Sequence, residues 1–113
     1  MKVHSENKKA YYDYEILEKY EAGLVLLGQE VKSIKTGHIN LVGSYVVINQ
    51  SEPYLIGAKI PPYQPKNTPA DYNQERPRKL LLNKKEIDYL SGKASQKGLS
   101  MVPLKIYEKN SRI

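Results

Sequence analysis

The eight residues between Gly28 and Gly37 constrain this chain most. Leu27, Val31 and Ile34 recur at i, i+4 and i+7, which lines one face of a short helix with apolar side chains. Glu30 falls in the first turn and Lys32 and Lys35 fall later, the order that suits the helix dipole. Gly37 can take the left-handed conformation that ends a helix, and the β-branched run at residues 44–48 then reads as a strand. A two-turn helix cannot stand alone in water, so its apolar stripe must plug something. The strands before and after it predict a small β-barrel or curled sheet.

With 113 residues the chain fits one domain, able to bury about two-thirds of its unfolded surface. It has no cysteine, which excludes disulfides and thiolate metal sites and permits a reducing compartment. The longest apolar run, residues 24–27, is too short to span a bilayer, and the first six residues hold no signal core, so a cytoplasmic protein without a membrane partner is expected. Eighteen Lys and Arg against twelve Asp and Glu give a net charge of +6, a surplus that favours polyanions. Ten Tyr with neither Phe nor Trp point the same way, because a tyrosine ring can stack on a base while its hydroxyl stays wet. Such rings also serve as half-buried strand residues.

Along the chain, residues 1–9 are polar and basic and are expected to be mobile. Residues 13–20 alternate through Tyr14, Ile16 and Tyr20 and predict a half-buried strand, turning at Glu21-Ala22-Gly23 into a returning strand at residues 24–27. Residues 44–48 and 54–60 predict a second hairpin around a turn at residues 49–53. Pro61, Pro62, Pro65, Pro69 and Pro77 break up a loop too proline-rich for regular structure, and loops of this length are functional or disordered. Asn83 as N-cap, Glu86 completing a capping box and Leu82 with Ile87 as a staple announce a helix whose face carries Ile87, Leu90 and Ala94, with Gly98 as its stop. Residues 99–107 predict the last strand, confined to an edge or bulge by Pro103.

Catalytic signatures are missing. Gly23 and Gly28 have Walker spacing, but Gln29 and Glu30 stand where Lys and Ser or Thr are required. His4 and His38 lie far apart and read as surface residues, so neither a zinc site nor a Ser-His-Asp group is expected. The chain reads as a binding protein, not an enzyme, with no metal and no cofactor.

Asn7-Lys8-Lys9-Ala10, Asp13-Tyr14-x-Ile16, Glu21-Ala22-Gly23, Gly28-x-Glu30-Val31-Lys32-Ser33, Gly37-x-x-Asn40-Leu41, Ser44-Tyr45, Pro62-Tyr63, Arg76-Pro77-Arg78-Lys79-Leu80-Leu81-Leu82 and Gly98-Leu99-x-x-Val102-Pro103-Leu104-Lys105-x-Tyr107 stand in one order across residues 7–110. In that order and spacing the chain resembles the SsrA-binding protein family, SmpB. The resemblance implies a mainly β fold, a small antiparallel OB-like β-barrel with two or three short helices, as a single RNA-binding domain over residues 1–113. It implies a non-enzymatic role in bacterial trans-translation: binding the tRNA-like domain of transfer-messenger RNA (tmRNA) as a monomer, and delivering it to stalled ribosomes. Tyr12 stands where the family commonly has His, and Lys59 where it often has His or Asn. The family continues past the final Lys-Asn with a strand and a basic tail used in the decoding site, where this chain reads Ser111-Arg112-Ile113, so as given it is expected to lack that tail. A basic barrel of the ribosomal or initiation-factor kind, binding rRNA, would share the charge and β content.

The candidate RNA-binding residues follow from both readings. Arg76, Arg78 and Lys79 offer guanidinium forks and an ammonium to phosphates. Lys8 and Lys9, followed by Tyr11 and Tyr12, pair charge with stacking surface. Asn7 and Asn40 can read a base edge or a ribose hydroxyl, and are equally turn formers. Glu30 can satisfy helix-start amides, accept from a guanine edge or orient Lys32 or Arg78, and of these structural support with an indirect effect on RNA is the expectation. Glu21 and Leu81 match family positions associated with RNA binding, Leu81 through packing, and Lys32, Lys35, Tyr63 and Lys105 complete the set.

Overall fold

A computed structural model describes residues 2–96, 98–109 and 113. Met1, Lys97 and residues 110–112 lie outside it, and with them the expected start of the mobile segment and most of the expected ending Ser111-Arg112-Ile113. In chain order the elements are β1 (Lys2–Glu6), α1 (Lys8–Asp13), β2 (Gly23–Leu24), α2 (Gly28–Lys35), β3 (Tyr45–Asn49), β4 (Glu52–Ile56), a 3-10 turn (Pro65–Asn67), β5 (Arg78–Leu81), α3 (Lys84–Ala94) and β6 (Lys105–Glu108). The expected β-rich fold with short helices takes the form of two antiparallel sheets, one ordered β2-β5-β4-β3 and the other β1-β6.

The core is small and lies around α2. Ile34, Ile39, Leu41, Leu55, Ala58 and Ile60 are buried together, with Leu24, Leu26, Val46, Leu80 and Ile106 packed at the margin. Ile34 is wholly enclosed while Leu27, at the other end of the expected stripe, is 46% exposed. The buried face of α2 is instead Glu30, Ser33 and Ile34. Gly37 sits at φ +82° and its N–H reaches the Ile34 carbonyl at 2.8 Å, so the helix ends as its glycine foretold.

The β3–β4 hairpin has Tyr45 opposite Ile56 and Asn49 opposite Glu52, leaving Gln50 and Ser51 as a two-residue turn, both at positive φ. That is the backbone of a primed turn, whose twist matches the strands. β4 ends at Ile56, short of the expected Ile60, because Gly57 at φ +84° turns the chain. On α3, the Asn83 side chain accepts from the Glu86 N–H at 2.8 Å and the Asn83 N–H donates to Glu86 Oε1 at 3.2 Å. The helix closes at Ala94, ahead of Gly98.

Several sequence expectations are corrected. Residues 2–9 are ordered: β1 pairs with β6 from Lys2 opposite Glu108 to Glu6 opposite Lys105, and Lys8 and Lys9 open α1. Residues 13–20 form no strand, because β2 takes β5 as its partner through Gly23 opposite Leu81 and Leu24 opposite Leu80, leaving the alternating segment with no ladder to join. The returning strand shrinks to Gly23–Leu24, with one further bond from the Val25 N–H to the Lys79 carbonyl at 2.9 Å. Residues 99–104 are irregular up to Pro103, which has no N–H to donate, and the strand begins at Lys105. β5, for which no strand is expected from the sequence, joins β2 to β4 as an interior strand. His4 is no surface residue: its ring is 3% exposed and its Nε2 lies 3.3 Å from Glu108 Oε1.

Candidate nucleic-acid interface

The proline-rich loop between β4 and β5 is held to α2 by a buried polar cluster. Glu30 is 1% exposed, and its carboxylate accepts from Arg78 Nε at 3.1 Å, Arg78 Nη2 at 2.6 Å, Arg76 Nε at 3.2 Å and Arg76 Nη2. It also accepts from the Leu27 N–H at 2.9 Å, which caps α2, and the Tyr72 hydroxyl lies 2.9 Å from its Oε2 and 2.8 Å from the Ile60 carbonyl. Arg78 spends its remaining donors on the carbonyls of Ala58 at 2.7 Å and Gln74 at 2.9 Å. No buried side-chain nitrogen or oxygen among the described residues lacks a partner, which is the condition under which buried charge is tolerable.

Burial pushes the Glu30 carboxyl up, but the bonds from Arg76, from the Leu27 amide and from Arg78 together outweigh it and hold the group below the usual carboxylate range. Burial and the neighbouring carboxylate push the Tyr72 phenol up, so it stays a neutral donor. Two guanidiniums against one carboxylate leave this cluster with excess positive charge under the loop.

Further out, the Thr68 hydroxyl is 2.9 Å from Gln29 Oε1, and the Ser33 hydroxyl donates to the Pro61 carbonyl at 2.9 Å. Between helix and loop lies an open cleft of about 220 Å³ lined by Lys32 and Tyr63 with Gln29, Gln64, Asn67 and Thr68. Lys32 and Tyr63, 31 residues apart in the chain, are sequence-predicted residues that the fold brings into this cleft, while Asn7, Lys9, Glu21 and Lys105 line a second, larger open cleft.

The other candidates divide into those presented outward and those consumed internally. Arg78 is 0% exposed and cannot reach a phosphate, which corrects the expectation of a surface fork; Arg76 is half-buried on Glu30. Asn7 is likewise locked rather than free to read a base. Its Oδ1 accepts from the Ala10 N–H at 3.3 Å as the cap of α1, and its Nδ2 donates to Pro103 and Leu41 carbonyls at 3.0 and 3.4 Å. Asn40 is exposed but its Oδ1 accepts from the Val42 N–H at 2.9 Å, the local turn role open to asparagine.

Lys8, Lys32 and Lys105 are exposed with no ion pair among the described residues. Lys9 is 3.0 Å from Asp13, Lys35 is 3.8 Å from Glu108 and Lys79 is 3.5 Å from Glu52. Tyr12 is 91% exposed, whereas the Tyr11 ring carries the Lys19 ammonium at 5.5 Å. Glu21, exposed two residues before β2, accepts from the Tyr107 hydroxyl and lies 3.9 Å from Lys109. Leu81 is 55% exposed and covers Gly23, where a Cβ would stand 3.3 Å from it. Sequence reasoning missed Tyr72, Gln29, Gln64, Asn67 and Thr68. The one available signal was Tyr72, a large ring in a polar loop with no apolar neighbour in sequence.

The SmpB protein family model matches residues 4–113. The chain belongs to the SmpB family. It is 53% identical over 107 residues to the SsrA-binding protein of a Nitratiruptor species, covering 95% of this chain and 71% of that one. The SsrA-binding protein of Thermosynechococcus vestitus is 50% identical over 113 residues, 100% of this chain and 74% of the relative. A solved chain from work on tmRNA-SmpB and the centre of the bacterial ribosome superposes with a TM-score of 0.76 at 48% identity, over 94% of this chain and 73% of that chain. Within this SmpB-family chain, no described helix is long and apolar enough to cross a membrane.

Proposed function

We propose that this chain binds the tRNA-like domain of tmRNA and works with it at the ribosome in the rescue of stalled translation. The observation that carries this is the solved SmpB neighbour, at 48% identity and a TM-score of 0.76, together with relatives named SsrA-binding proteins at half identity or better. The net charge of +6 and the outward lysines supply the attraction that a polyphosphate partner requires. The role is binding without covalent chemistry, in the cytoplasm: the most strongly held carboxylate, Glu30, is consumed in fixing a loop. Glu30, Arg76, Arg78 and Asn7 shape the surface from within, while Lys8, Lys9, Lys32, Lys35, Tyr63, Lys79 and Lys105 meet RNA.

A gel-shift comparison of the tRNA-like RNA, an elongator tRNA and a ribosomal RNA fragment tests this reading. Preference for the tRNA-like RNA is expected. Equal binding to all three, or preference for the ribosomal fragment, refutes it in favour of a general rRNA-binding barrel.

A further inference from the structure

We infer that the cleft between α2 and the proline-rich loop takes one unstacked base of the bound RNA, with Tyr63 as the stacking surface and Lys32 on the adjoining phosphate. This rests on the proposed function and adds a subsite to it. Size comes first. About 220 Å³ is below the roughly 300–1,000 Å³ of pockets that enclose whole drug-sized ligands, so the cleft suits a single flat ring with its sugar and phosphate left outside.

Chemistry comes second. Tyr63 is 41% exposed although two prolines precede it, so the backbone that presents the ring is stiff. Lys32 forms no ion pair among the described residues, and no carboxylate lines the cleft. The nearest acid in sequence, Glu30, is buried under two guanidiniums. Polar specificity comes third. Asn67 Nδ2 donates to Gln64 Oε1 at 3.0 Å, and the Thr68 hydroxyl lies 2.8 Å from the Gln64 carbonyl and 2.9 Å from Gln29 Oε1, so three amide side chains bring donors and acceptors to the rim. A rim with donors and an acceptor beside an aromatic face is the arrangement by which proteins hold splayed single-stranded bases. The Thr68–Gln29 contact and the Glu30 cluster fix the spacing of the two walls before any ligand arrives.

The test measures affinity for the tRNA-like RNA with wild-type protein, Tyr63→Ala, Tyr63→Leu, Tyr63→Phe, Lys32→Gln and, as a control on α3, Lys85→Gln. Tyr63→Ala and Tyr63→Leu should weaken binding by about 5- to 150-fold, the range expected for removing one base–aromatic stack, while Tyr63→Phe stays within about twofold. Lys32→Gln should lower the slope of log affinity against log salt by about 0.7 to 0.9. Lys85→Gln should change neither. Ultraviolet cross-linking should join one nucleotide of the RNA to the peptide that contains Tyr63. Wild-type protein that binds while Tyr63→Ala binds equally well overturns the cleft and leaves the function standing. Wild-type protein that fails to bind overturns both.

Discussion

Arg78 and Glu30, 48 residues apart, meet through two hydrogen bonds, at 3.1 and 2.6 Å, with neither side chain exposed to solvent. Removing either partner strands the other charge in the interior, which costs about 3–5 kcal/mol. Arg78→Ala and Glu30→Gln should each lower the urea midpoint accordingly. Arg78→Lys should recover little, because a single ammonium cannot span Glu30, Ala58 and Gln74 as the guanidinium fork does. RNA affinity in Arg78→Ala should fall with the folded fraction. Full stability with a specific loss of RNA binding would contradict the buried placement of Arg78.

The same pair sets an acid dependence. A carboxyl held below its unfolded-chain value, about 4.3, contributes its full stability above that value and loses it as pH falls through the lower folded value. Wild-type stability should therefore decline on the acid side of about pH 4.3, with a component missing from Glu30→Gln. Urea midpoints measured from about pH 6 down to about pH 2.5 on both proteins check this. Parallel curves would remove Glu30 from the acid response.

Two glycines should respond oppositely to alanine. Gly92 lies inside α3, exposed, with nothing within 4 Å of a Cβ built on it, so Gly92→Ala should stabilise by about 0.5–1 kcal/mol. Gly57 sits at φ +84° with that Cβ 3.5 Å from the Ser44 Cα, and Gly57→Ala should destabilise by about 1–2 kcal/mol. Thermal melts of the two variants should shift in opposite directions. A shift in the same direction would mean that one backbone placement is wrong.

What the sequence revealed follows the range of the interactions involved. α2, α3 and the β3–β4 hairpin were legible because their signals are local: Glu30 reaches the Leu27 amide three residues back, and Asn83 and Glu86 cap each other. β1 was unreadable because its partner β6 lies about a hundred residues away, as the His4–Glu108 contact across 104 positions illustrates. Residues 13–20 have a strand's alternation, but alternation says nothing about whether a neighbouring edge is vacant. Arg78 reads as surface charge beside Arg76 and Lys79, and only the distant Glu30 turns it into core. The cleft was half legible. Lys32 and Tyr63 stood out as charge and ring, whereas the amides of Gln29, Gln64 and Asn67 matter only once the loop is folded onto the helix.

The lysines that face outward make a quantitative claim about RNA binding. Lys8, Lys32 and Lys105 have no carboxylate partner among the described residues, while Lys9, Lys35 and Lys79 would first have to leave Asp13, Glu108 and Glu52. Surface pairs of this kind contribute about 0–1 kcal/mol, so exchange onto phosphate is cheap, but the unpaired lysines start with no such loss. Each phosphate contact contributes about 0.7 to 0.9 to the slope of log affinity against log salt. Lys8→Gln, Lys32→Gln and Lys105→Gln should each flatten that slope by about one contact and weaken binding at low salt, and Lys79→Gln should change it less. A slope that all four variants leave untouched would mean that RNA meets another face of the molecule.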